Sequence, residues 1–218
     1  MKEQIYTIPI GEAYALSDGC PMCRLFRKLE EETLAYTLSP AMMEPDVRTT
    51  MNAKGFCLEH TQVLLQKQNR LSLALVLESR LDTLRRMPAE KLASAADSCF
   101  VCERANGFMD KCTENILYLW ETQEEFRDTM LKRQHCLGHI AALLKLGQTE
   151  LRRKVYTQFA AQMEEQAKRE TEALLQSVSR FAKSFDHRFS GQDLGDDKQA
   201  VENACAWMAG GFSGRGVK

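Results

Sequence analysis

Eight potential metal ligands recur in one register along the chain. Cys20-Pro21-Met22-Cys23 is followed by Cys57-Leu58-Glu59-His60, and Cys99-Phe100-Val101-Cys102 by Cys136-Leu137-Gly138-His139. The pattern C-x2-C-x33-C-x2-H therefore occurs twice in one register (99 − 20 = 136 − 57 = 79), without a one-residue slip. Three thiolates and one imidazole are a usual ligand set for tetrahedral zinc. Six of the eight cysteines and two of the four histidines occupy these positions, a division that scattered residues would not produce. The spacing predicts an internally duplicated chain with two Zn2+ per chain. One ion is expected on Cys20, Cys23, Cys57 and His60, the other on Cys99, Cys102, Cys136 and His139.

The x33 spacer is long for a compact zinc finger. It suits two helices, out along one and back along the next, with the metal closing the hairpin at its base and removing unfolded-state entropy. Composition agrees with helices. Ala, Leu, Glu, Gln, Lys, Arg and Met dominate, and only five prolines and twelve glycines occur in 218 residues. The expected fold is all-α, with two helical repeats, each clipped by its own Cys3His site, and a long C-terminal helix.

Taken in order, residues 1–19 read as an extended segment, because Tyr6, Ile8 and Ile10 alternate and Pro9 argues against a central strand. Repeat 1 covers 20–87, with helices opened by Pro21, Pro45, Cys57 and Arg70. Residues 88–98 read as a linker, and repeat 2 covers 99–189. Its helix from Cys136 is expected to stop at Gly147. One uninterrupted helix is expected from Thr149 to about His187. Residues 190–218 are expected to hold a short helix near Lys198–Ala209 and a disordered tail.

Several features limit the function. Net charge is −1, with 29 basic against 30 acidic residues, which argues against a dedicated nucleic-acid binder. The first residues lack a charged-then-apolar signal pattern, and no apolar run suits a membrane span, so a cytoplasmic address is expected. Cysteines in such a compartment serve as metal ligands or reactive thiols rather than as a disulfide frame. Reduced, packed thiols, a working C-x2-C dithiol and iron–sulfur ligation are the alternatives to zinc. A four-ligand protein set leaves no vacant position, so a catalytic metal is not expected.

Other residues read as structural. His135 adjoins Cys136 but points about 100° from it on a helix, and its repeat counterpart is Phe56. His187 reads as a helix cap, and Cys112 and Cys205 as packed thiols. Glu30-Glu31-Glu32 and Glu164-Glu165 read as solvated charge. Arg85-Arg86 and Arg152-Arg153-Lys154 are diluted by acidic neighbours. No phosphate loop, Ser-His-Asp order or dinucleotide fingerprint is visible.

The segments YTIPIGEAY, CPMCRLFRKLEEETLAYTLSPAMMEPDVR, NAKGFCLEH and QNRLSLALVLES resemble a family of uncharacterised bacterial proteins, mainly from Firmicutes, with a placeholder unknown-function domain. Its motifs C-P-x-C and G-F-C-x-x-H fall on Cys20, Cys23, Gly55, Phe56, Cys57 and His60. The resemblance implies a lineage and a cytoplasmic setting but no activity. Repeat 2 reads Gln134-His135 where repeat 1 has Gly55-Phe56, so its site is expected to be looser or differently packed.

The functional expectation is a zinc-stabilised, non-enzymatic protein-interaction module, with the long C-terminal helix as contact surface for a partner or a second copy. A thiol-based redox protein or redox-sensitive zinc switch is the alternative. A nucleic-acid-associated regulator is the third reading.

Overall fold

The computed structural model describes residues 4–186, 188 and 193–210. Every regular element among them is helical. Eleven α-helices run in chain order: α1 (Gln4–Ala15), α2 (Pro21–Thr37), α3 (Pro45–Lys54), α4 (Leu58–Gln66), α5 (Arg70–Leu84), α6 (Ala89–Ala96), α7 (Phe100–Thr122), α8 (Glu124–Leu131), α9 (Leu137–Glu150), α10 (Arg153–Lys183) and α11 (Ala200–Ala209). Short 3-10 turns at Pro40–Met43 and Gly195–Gln199 precede α3 and α11.

The duplication is visible in the helix starts. α2 and α7, α3 and α8, and α4 and α9 begin at the offset of the ligands (100 − 21 = 124 − 45 = 137 − 58 = 79). Equivalent residues do equivalent work. Arg48 on α3 donates to the carbonyls of Met42 and Met43, and Arg127 on α8 donates to those of Trp120 and Glu121. In both repeats an arginine thus satisfies carbonyls that the preceding helical segment leaves open. Met51 and Met130 are both fully buried, as are Leu64 and Leu143.

Two expected segments fold differently. Residues 4–15 form a helix, not an extended segment. Ile10, Ala13 and Tyr14 are buried at helical spacing, and that burial outweighs the hydrogen bond that Pro9 removes. Residues 89–96 form α6 rather than a plain linker. None of its side chains is buried. Each repeat thus begins with a short helix before its C-x2-C.

Gly147 does not end α9, which continues to Glu150. A Cβ at Gly147 would stand 3.4 Å from the Phe159 ring, in van der Waals contact. The helix expected from Thr149 instead breaks at Leu151-Arg152. Leu151 is buried at the break and Arg152 pairs with Glu121 at 2.8 Å. α10 has 31 residues, about 46 Å at 1.5 Å per residue. The expected cap at His187 and the expected tail beyond Gly210 lie outside the described residues.

The chain forms two compact units, and these are not the two repeats. Unit 1 comprises Met1–Leu25 and Asp110–Lys218; unit 2 comprises Phe26–Met109. Each therefore contains parts of both repeats. In unit 2, Leu34, Met42, Met51, Leu64, Leu73 and Val76 pack with Cys99, Phe100 and Val101 in one apolar cluster. Unit 1 buries Trp120 edge-on against Phe159, and α10 packs against both α9 and α11.

Candidate metal centres

Cys57 and Cys136 occupy the same place in their repeats, each the N-cap of a helix with an extended backbone. His60 and His139 follow in the first turn. Cys20 and Cys99 directly precede α2 and α7, so Cys23 and Cys102 also sit one turn in. Helix N-termini carry partial positive charge and favour thiolates.

All eight expected residues come together as two Cys3His groups, but the groups are not the expected ones. Cys20 and Cys23 meet Cys136 and His139, while Cys99 and Cys102 meet Cys57 and His60. Each C-x2-C pairs with the C-x2-H of the other repeat. The ligand atoms within each group lie within 4.8 Å of one another. The first group lies wholly in unit 1 and the second wholly in unit 2. The within-repeat pairing fails because α2 leaves its Cys20–Cys23 end in unit 1 and carries the chain into unit 2, where Cys57 and His60 remain.

In unit 2, His60 Nδ1 lies 3.3 Å from Cys57 Sγ, 3.2 Å from Cys99 Sγ and 3.5 Å from Cys102 Sγ. Cys57 and Cys102 sulfurs are 3.9 Å apart. His60 is 1% exposed, and its Nε2–H donates to Glu30 Oε1 at 2.8 Å. Gly55, with φ 71°, turns the chain into Cys57, and its carbonyl accepts from the Phe100 N–H at 2.8 Å. Arg80 lines this turn. It donates to the carbonyls of Asn52 and Ala95, and a Cβ on Gly55 would strike its guanidinium at 2.9 Å.

In unit 1, His139 Nδ1 lies 3.4 Å from Cys20 Sγ, 3.3 Å from Cys23 Sγ and 3.1 Å from Cys136 Sγ. Cys23 and Cys136 sulfurs are 3.6 Å apart. The neighbouring His135 is fully buried and takes no part. It joins a polar chain in which Tyr14 O–H donates to His135 Nε2 at 2.9 Å, His135 Nδ1–H donates to Gln166 Oε1 at 3.2 Å, and Gln166 Nε2 donates to the Arg133 carbonyl. Arg133 in turn caps α1 through the carbonyls of Tyr14 and Ala15. Burial lowers the His135 pKa and raises that of Tyr14, which fits a neutral imidazole accepting from a protonated phenol.

The electrostatics of both groups favour negative sulfur, and in unit 1 a protonated ring beside it. Hydrogen bonds from Cys136 and Cys23 drive Cys20 strongly toward thiolate, while the shared bonds with Cys136 and Cys20, together with burial, keep Cys23 protonated. Burial opposes ionisation of Cys99, yet hydrogen bonds from His60 and from the Cys102 and Cys57 backbone bring it to about 6. Burial likewise opposes protonation of His139, and its bonds to Cys136 and Cys20 raise it to about 10. Protons shared among buried sulfurs and a ring are what a bound cation displaces. Each group can hold one metal ion.

The sequence profile of a family of unknown function, DUF6062, matches residues 1–95 and again 82–215. The chain belongs to DUF6062. Its second match starts before α6, as the first starts before α1, in keeping with a repeat that includes the short leading helix. No curated protein and no solved structure matches the chain.

Glu30, Tyr14 and Gln166 are the residues that sequence reasoning missed. Glu30 sat in a run of three glutamates that read as solvated charge. Only its place two turns along the helix from Cys23, on the inward face with Leu34, could have marked it.

Proposed function

We propose that this DUF6062 protein is a zinc-binding helical module with structural metal centres, acting through protein–protein contact. The observation that carries the reading is the pair of closed Cys3His groups. A zinc tetrahedron with Zn–S near 2.3 Å and Zn–N near 2.0 Å has edges of about 3.8 Å between sulfurs and about 3.5 Å from sulfur to nitrogen. The histidine Nδ1–sulfur distances, 3.1–3.5 Å, and the Cys23–Cys136 and Cys57–Cys102 sulfur distances, 3.6 and 3.9 Å, match those edges, and all ligand atoms of each group lie within 4.8 Å of one another. A disulfide would bring sulfurs to about 2.05 Å. With four protein ligands on each ion, no position is left for a substrate, which favours a structural over a catalytic metal.

The proposed contact surface is the second half of α10, which has no repeat counterpart. α11 and its leading turn cover part of it, through Asp197 bonded to Ser177 and Arg180. Leu175, and Phe185 just past the helix end, remain 59% and 78% exposed. A bacterial, cytoplasmic setting accords with the family resemblance. No helix among the described residues is long and apolar enough to cross a membrane.

Elemental analysis and native mass spectrometry of freshly purified protein test the metal. Two zinc equivalents per chain are expected. Protein that carries other metals, or none with Cys20–Cys23 or Cys99–Cys102 oxidised, would contradict the reading and favour a thiol redox role.

A further inference from the structure

Building on the metal-binding reading, we propose that the two centres are unequal. The unit 2 centre holds its metal as a permanent clip, the unit 1 centre exchanges its metal, and Glu30 is the positioning residue that makes the difference. In unit 2, the His60 ring is fixed at both nitrogens. Nδ1 faces the three sulfurs and Nε2–H is anchored on Glu30 at 2.8 Å. A carboxylate in this place sets the tautomer, orients the ring and strengthens it as a ligand; losing such a partner typically costs about 10–100-fold in metal affinity.

The unit 1 centre lacks this support. The repeat counterpart of Glu30 is Met109, which carries no carboxylate. Among the described residues, none hydrogen-bonds His139 Nε2. The backbone tells the same story independently. In unit 2, the Phe100 N–H donates to the Gly55 carbonyl, tying the start of the C-x2-C helix to the turn before Cys57. The residue equivalent to Phe100 is Pro21, which has no N–H to donate. In unit 2 these bonds hold the ligands in place after the metal leaves and favour recapture. In unit 1 no equivalent of either bond reaches a ligand or the C-x2-C helix: Arg133 and His135 tie the segment before Cys136 to the end of α1 instead.

The unit 1 centre also adjoins the end of α11. A Cβ on Gly210 would stand 3.6 Å from Cys136 Sγ. Exchange at this centre therefore acts where the C-terminal helix is seated.

The test uses full-length protein loaded with two zinc equivalents. It is challenged with excess EDTA in the presence of N-ethylmaleimide, quenched at intervals, and each cysteine is read by peptide mass spectrometry. Two phases are expected. Cys20, Cys23 and Cys136 label first; Cys57, Cys99 and Cys102 label at least about tenfold more slowly. Glu30→Gln keeps the side-chain shape without the charge and should accelerate the second phase about tenfold or more. The first phase and the circular dichroism of the loaded protein should not change. Glu30→Asp keeps the carboxylate and should retain most of the slow phase, which a purely steric role would not predict. A single phase in the wild type, the reverse order, or an unchanged slow phase in Glu30→Gln overturns the proposal. Protein that takes up no zinc would overturn the metal-binding reading itself, a result distinct from two sites emptying at equal rates.

Discussion

The two centres use the same four residue types at the same helix positions, yet they sit in different surroundings. The unit 2 centre closes a local stretch: Cys99 lies 39 residues from His60, and Cys99 itself belongs to the apolar cluster of Leu34, Met51 and Val76. The unit 1 centre joins Cys23 to Cys136 across 113 residues and borders a polar chain, Tyr14–His135–Gln166. Duplication copied the ligands faithfully. It did not copy Glu30, Gly55 or the Phe100 amide, whose counterparts are Met109, Gln134 and Pro21. A repeated ligand set therefore fixes what a site can bind, while the unrepeated neighbours fix how firmly it does so.

The largest expected effect concerns which ligands share an ion. His60→Ala with Cys99→Ser strikes one centre and should leave one metal per chain. His60→Ala with Cys20→Ser strikes both and should leave none firmly held. Native mass spectrometry reads the difference directly; the within-repeat arrangement predicts the opposite outcomes for the two pairs.

Backbone support should separate the units next. Gly55→Ala forces an L-residue into φ 71° and presses its Cβ on Arg80, so a loss of about 2–3 kcal/mol is expected, measured by denaturant unfolding. Gly147→Ala relieves a helical glycine at ordinary van der Waals distance from Phe159 and should stay within about 1 kcal/mol of the parent.

Tyr14→Phe should weaken unit 1 by about 1–3 kcal/mol, because it strips the donor from a fully buried imidazole. It should leave the unit 2 centre's metal release unchanged. Equal effects on both centres in the same chelation assay would contradict the separation drawn here.

The smallest effect is chemical. Among thiols outside the centres, Cys205 is exposed and should react with N-ethylmaleimide in the metal-loaded protein within minutes. Cys112 is fully buried, and burial raises its pKa to about 11. The thiolate is the reactive form, so Cys112 should stay unlabelled at pH 8 and gain reactivity only as pH approaches 11.

The ligands were legible because they repeat together: eight positions, one offset, and helices starting at that offset from Pro21, Pro45 and Leu58. Their pairing was not legible. Exact repetition makes the crossed and uncrossed sets identical in composition. The connecting lengths are also similar, an x33 spacer from Cys23 to Cys57 and an x38 spacer from His60 to Cys99. Closing loops of 113 and 39 residues rather than two of 34 (57 − 23 = 136 − 102 = 34) adds only about 1 kcal/mol of chain entropy. Packing of α2 into unit 2 decides the matter, and packing is not written in spacing. α1 was hidden by Pro9 and by chance alternation at Tyr6, Ile8 and Ile10; only the burial of Ile10, Ala13 and Tyr14 makes it a helix. α6 was hidden because it is only eight residues long, with Leu92 its one large apolar side chain.

The crossing of the two ligand sets is tested most directly by cadmium-113 substitution and proton–cadmium correlation spectroscopy on the intact chain. Two cadmium resonances are predicted, one coupled to the β-protons of Cys20, Cys23 and Cys136, the other to those of Cys57, Cys99 and Cys102. A resonance that couples Cys20 and Cys23 to Cys57 would contradict the account.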